Sequence, residues 1–269
     1  MFRKMKFSLM LTVMCLLIVP LFAKARPNVV VILVDDLGMK DIACYGSTLH
    51  DTPNIDKLAQ HSVRFTNGYS AHPVCSPTRA AIMTGKNPCR KEISITDWIP
   101  GVRPKNRKLT GPAIKQELPL KEITIAEELK NAGYATWFLG KWHLGETEKH
   151  WPKAQGFDVN IGGWAVGSPK GGYYAPFKNP CLPKVPEGTY LPDYLTSEAI
   201  KLVKERDEKK PFLLYLSFYT VHTPIQACKR HLAKYEQKVA KLPTLEKDVV
   251  QERYGISKIR QDNASYASM

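Results

Sequence analysis

The sequence is short of acid: 25 Asp and Glu stand against 39 Lys and Arg in 269 residues, a formal charge of +14. It has no internal repeat, no low-complexity tract and no series of long apolar runs. With 43% hydrophobic and 24% charged residues, these absences exclude a disordered chain, a collagen-like repeat and a polytopic membrane protein. The apolar stretch Phe7 to Phe22 covers 16 residues, short of the roughly 20 that span a bilayer as a helix. Arg3, Lys4 and Lys6 precede it and Ala23-Lys24-Ala25 follows, so residues 1–25 read as a secretory signal peptide with an A-x-A cleavage site. The remaining chain, 26–269, loses four basic and no acidic residues and keeps a charge of +10. A basic exported protein without a stable membrane anchor suits anionic substrates in a periplasmic or extracellular setting, and no nucleic-acid partner is expected. Cysteine is sparse as well. Once Cys15 has left, Cys44, Cys75, Cys89, Cys181 and Cys228 remain, an odd number, so at least one has a fate other than a disulfide.

Val29 to Val34 is an uninterrupted apolar, β-branched run, the pattern of a central strand covered on both faces. Thr52-Pro53 opens a helix running to about His61. Thr124 and Glu127 form a capping box for a helix that ends at Ala132, where Gly133 supplies the stop. Strands at Tyr134–Leu139 and Phe212–Phe218 flank a helix over Asp193–Arg206. The alternation predicts an α/β fold, a three-layer α/β/α sandwich with a mostly parallel central sheet. Two irregular stretches interrupt it. Trp98 to Leu118 carries Arg103, Lys105, Arg107, Lys108 and Lys115, and Ser168 to Pro192 is dense in glycine and proline.

Chemistry gathers at the strand ends. Asp35-Asp36 follows the first strand at its C-terminal edge, where open α/β sheets bind ligands. Adjacent carboxylates there suit a hard divalent cation. In Pro73-Val74-Cys75-Ser76-Pro77-Thr78-Arg79, Pro77 lies in the first turn of a helix closed by Gly85. Cys75 then sits at the helix mouth, where amide donors and the dipole gather anions, with Arg79 one turn on. The strand before Gly140-Lys141-Trp142-His143 brings Lys141 and His143 to the same edge, and Phe212–Phe218 delivers His222 in His222-Thr223-Pro224.

Cys75-Ser76-Pro77-Thr78-Arg79 resembles the C-x-P-x-R signature of the type I sulfatases. Gly133 through His143 is similar to their second signature, G-Y-x-T-x-x-x-G-K-W-H. The resemblance implies an alkaline-phosphatase-like fold and oxidation of Cys75 to formylglycine by a maturation enzyme. It further implies a divalent cation, Ca²⁺ or Mg²⁺, held by Asp35, Asp36 and modified Cys75. It gives Cys75, Arg79, Lys141, His143 and His222 catalytic roles. It implies too that Lys141, His222 and Ser168 contact a sulfated glycan or small sulfate ester. A phosphonate or phosphate-ester hydrolase of the same superfamily and a non-catalytic glycan-binding protein are the rival readings. Asp262-Asn263, with neither an apolar strand before it nor a glycine after it, reads as the lead-in to a surface helix rather than the family's Asp-Asn metal pair. On that ground the chain reads as the N-terminal part of a sulfatase domain, incomplete at the C-terminus.

Overall fold

A computed structural model describes residues 26–90 and 115–269. The signal-peptide reading and the basic residues Arg103, Lys105, Arg107 and Lys108 lie outside the described residues. Four parallel strands form the central sheet in the order β1-β4-β2-β3, where β1 is Val29–Val34, β2 Ala135–Gly140, β3 Val159–Ile161 and β4 Phe212–Phe218. Val29 pairs with Leu213, Ala135 with Phe212 and Trp137 with Val159, so all four C-terminal ends point the same way.

Strand β4 is buried on both faces because its alternate side chains feed two cores. Leu213 and Tyr215 join Phe138, Trp142 and Phe157 on one face, covered by helices α2 (Cys75–Thr84) and α3 (Ile125–Asn131). Phe212, Leu214 and Leu216 join Trp137 and Leu139 on the other face, covered by α4 (Leu191–Lys204). The expected three-layer sandwich is present. Thr124 caps α3 by accepting from the Glu127 amide, Glu127 returns the bond to the Thr124 amide, and Gly133 follows at φ 84°. Helix α1 runs Pro53–Gln60. Helix α4 begins at Leu191, two residues earlier than the sequence suggests, with Pro192 in its first turn where a missing N–H costs nothing.

Strand β1 corrects one expectation. It is an edge strand: Val30 and Ile32 are 52% and 59% exposed, because α4 packs over β4 and β2 and leaves this part of the face open among the described residues. Helix α5 (Lys229–Ala240), the antiparallel hairpin of β5 (Val249–Gln251) and β6 (Ile256–Lys258), and the short α6 (Ala264–Ser268) complete the described elements. Asn263 is the N-cap of α6, its side chain accepting from the Tyr266 amide, and Asp262 pairs with Lys258, which agrees with reading Asp262-Asn263 as a helix lead-in. No described helix is long and apolar enough to cross a membrane. All five described cysteines are free thiols.

Candidate active site

The C-terminal ends of β1, β4 and β2 and the mouth of α2 converge on one cluster. After β1 the chain is strapped to the turn after β4: the Asp35 amide donates to Thr220 O at 2.8 Å and the Val221 amide to Asp35 O at 2.7 Å. Asp35 is thereby aimed inward and buried, while Asp36, at φ 59°, faces outward and is 60% exposed at its side chain. Directly after β2, the Lys141 amide donates to Ser217 O at 2.8 Å. Gly140 makes this approach possible. Its φ is +99°, and a Cβ there would stand 1.8 Å from Ser217 O.

Arg79 holds the cluster together. One Nη donates to Lys141 O at 2.7 Å and to Ser217 Oγ at 2.6 Å, and the other to Asp35 Oδ1 at 3.1 Å. Lys141 Nζ pairs with the second Asp35 oxygen, and Lys141 is wholly buried. Burial works to raise the Asp35 carboxyl, but Arg79 and Lys141 overcome it and hold the group below its ordinary value. Burial also pulls Lys141 down, as does the Arg79 charge, against the pull of Asp35.

Cys75 is the first residue of α2, and its Sγ lies 3.4 Å from His143 Nδ1. Ser76 donates to His143 O at 2.8 Å, so the helix mouth and the His143 loop are tied at two points. His143 has φ 60°, and its amide donates to Trp164 O at 3.1 Å. Burial first, then the Lys141 and Arg79 charges, push its imidazole down to about 3, so it is neutral at neutral pH. Gly167 lies on that ring, since a Cβ there would be 2.3 Å from its atoms. Ser168, the next residue, is half-buried. His222 donates from Nδ1 to Thr223 O at 2.7 Å, leaving Nε2 3.9 Å from Asp36 Oδ2.

The ligating atoms of Asp35, Asp36 and His222 lie within 4.8 Å of one another. The two carboxylates offer the hard oxygens that a divalent cation such as Ca²⁺ or Mg²⁺ takes, and the imidazole lies beside them. His222 joins the two acids because the turn after β4 carries it to Asp36, while the unmodified Cys75 thiol faces His143. Arg79 Nε is buried without an acceptor among the described residues, one turn along α2 from Cys75.

Sequence reasoning missed several supporting residues. Ser217, fully buried, is the only hydroxyl of small size in the run Phe212–Phe218 and bridges Arg79 to the Lys141 carbonyl. Tyr173, also fully buried, places its hydroxyl 2.7 Å from Tyr219 O and 2.8 Å from His222 O, and so fixes the His222 turn. A polar residue within an otherwise apolar strand was the available signal for Ser217. Nothing local marks Tyr173 among its neighbouring tyrosines.

A parallel three-layer sandwich with an acid pair, a helix-mouth cysteine and a Lys-x-His segment on one sheet edge defines an alkaline-phosphatase-like α/β protein. The chain belongs to the sulfatase family, whose family model matches residues 27–268. It is 34% identical over 231 residues to human N-acetylgalactosamine-6-sulfatase, covering 78% of this chain and 42% of that protein. Among solved structures it is similar to Ps i-CgsB in complex with k-i-k-neocarrahexaose, at 28% identity and a TM-score of 0.67 over 91% of this chain and 51% of that one. It is similar also to BT4656 in complex with its substrate D-glucosamine-2-N,6-O-disulfate, at 28% identity and a TM-score of 0.63 over 82% of this chain and 39% of that one. The chain thus spans 42% of the length of its human relative.

Proposed function

We propose that the protein hydrolyses sulfate esters of sugars, as an exported enzyme, using Cys75, Arg79, Lys141, His143 and His222 with Asp35 and Asp36. The observation that carries this reading is the contact of Cys75 Sγ with His143 Nδ1 at 3.4 Å beside the buried Asp35–Arg79–Lys141 cluster. Sulfatases use a formylglycine made from the motif cysteine as an oxygen nucleophile and a divalent cation, here Ca²⁺ or Mg²⁺, that offsets the charge of the ester. Asp35 and Asp36 would hold the cation through their carboxylate oxygens, with residue 75 adding an oxygen once modified.

The remaining chemistry falls to the chain's own side chains. Lys141 and Arg79 keep two fixed positive charges behind the nucleophile in a site shielded from water, where charge building up on sulfate is stabilised most. His143, neutral and 3.4 Å from the side chain of residue 75, is suited to accept a proton from it. His222, with Nδ1 committed to Thr223 O, keeps Nε2 for the leaving oxygen. Ser168 contributes a hydroxyl near the His143 loop for the sulfate oxygens. The names of the relatives favour a sulfated amino sugar as substrate.

The test is nitrophenyl sulfate hydrolysis by protein matured with a formylglycine-generating enzyme, with phenylphosphonate as comparator. Sulfate should turn over faster than phosphonate. Lys141→Ala should lower kcat roughly 10²–10³-fold, the usual cost of removing one preorganised charge at a reacting oxyanion. Faster phosphonate turnover, or an unchanged kcat in Lys141→Ala, contradicts the proposal.

A further inference from the structure

Beyond the acid pair the chain forms a second cationic depression. A groove of about 660 Å³ is lined by Lys40, Lys238, Lys258 and Arg260, together with Gly46, Thr48 and Gln261, and no acidic side chain lines it. That volume lies within the range of small-ligand sites. Lys40 follows Asp36 by four residues, so the reach of the chain keeps the two Cα atoms within about 14 Å. Gln261 donates to Lys40 O at 2.7 Å and to Asp41 Oδ1 at 2.6 Å, and this is the turn Met39–Asp41 that follows Asp35-Asp36.

The four cations have donors to spare. An ammonium has three N–H groups and a guanidinium five. Lys40 Nζ reaches only Tyr45 O, at 3.2 Å. Lys238 Nζ gives two bonds, to Leu49 O and Asp51 Oδ1, and Lys258 Nζ two, to Asp248 and Asp262. Arg260 donates to Pro243 O through one Nη, while its Nε is buried without an acceptor. A buried donor left unpaired costs free energy, which an anionic oxygen bound there would recover.

We infer that the groove of Lys40, Lys238, Lys258 and Arg260 is a subsite for a second sulfate group on the same glycan chain, so that the protein takes polysulfated rather than singly sulfated saccharides. This rests on the sulfated-glycan reading above and narrows its substrate class. Binding is multivalent: one sulfate occupies the catalytic cluster and a neighbouring one the groove.

The test is isothermal titration of the full chain, unmatured so that nothing turns over, with a heparin-derived octasaccharide and its unsulfated heparosan counterpart. The sulfated probe should bind more tightly. Lys40→Gln and Lys258→Gln should each weaken it roughly fivefold to tenfold, the loss of one charge-assisted contact. Each should also make the slope of log K against log salt shallower by about one. Arg253→Gln removes an equal charge from the exposed hairpin outside the groove and should leave binding unchanged. Lys40 is exposed and makes only that one bond, so its variant reports on the groove even if Lys258→Gln loosens the hairpin. Equal affinity for the two probes, or an equal loss in Arg253→Gln and Lys40→Gln, overturns the inference. Either result leaves the conversion of Cys75, on which the sulfatase reading depends, to be decided by its own measurement.

Discussion

Single residues carry most of the chemistry, and their environments explain how. Asp35, Arg79 and Lys141 are mutually compensating buried charges, an arrangement in which removal of any one strands the others. His50 shows the same logic away from the cluster. It is buried against Asp41 and Ser47, and burial holds its imidazole below the ordinary 6.5 despite the opposing pull of Asp41. Below pH 6.5 the unfolded chain therefore binds a proton that the folded chain refuses, and stability falls as pH falls. His50→Gln should flatten that decline in urea-denaturation midpoints measured from pH 7 to pH 5. A wild-type decline retained in full by the variant assigns it to other groups. At this scale the sequence was legible for the meeting of Asp35, Asp36, Lys141, His143 and His222, which follow strands, and of Cys75 and Arg79, which open a helix, because residue type and position together pointed to one sheet edge. The pairing of His222 with Asp36 was hidden, since it arises from a turn that joins two distant strand ends.

Elements place those residues. Strand β4 was legible to the residue, Phe212–Phe218, because a strand buried on both faces is apolar without interruption. The α3 capping box and the mouth of α2 were equally plain. Strand β3, three residues long, and α5, whose only buried residue is Tyr235, carry too little apolar pattern to be seen. The tightest junction is Gly140, where the backbone of β2 passes into Lys141 against Ser217. Gly140→Ala combines a disfavoured φ with a clash against backbone, so the expected cost exceeds roughly 3 kcal/mol. Chemical denaturation of the variant checks it. A loss under about 1 kcal/mol, the usual helix-or-strand Gly effect, refutes the close approach.

For the whole molecule, one core on each face of a parallel sheet leaves the C-terminal strand ends as the candidate reactive edge, where Asp35, Asp36, Cys75, Arg79, Lys141, His143 and His222 meet. The edge position of β1 is what sequence could not give, because an apolar run signals apolar surroundings without saying whether this chain's own residues provide them. The chain's net positive charge, with four of its cations lining the groove, suits the anionic saccharide proposed as substrate. The decisive measurement is peptide mass spectrometry across residue 75 after co-expression with a formylglycine-generating enzyme. The account predicts the mass of formylglycine at that position, whereas an intact cysteine under conditions that convert a known sulfatase would contradict it.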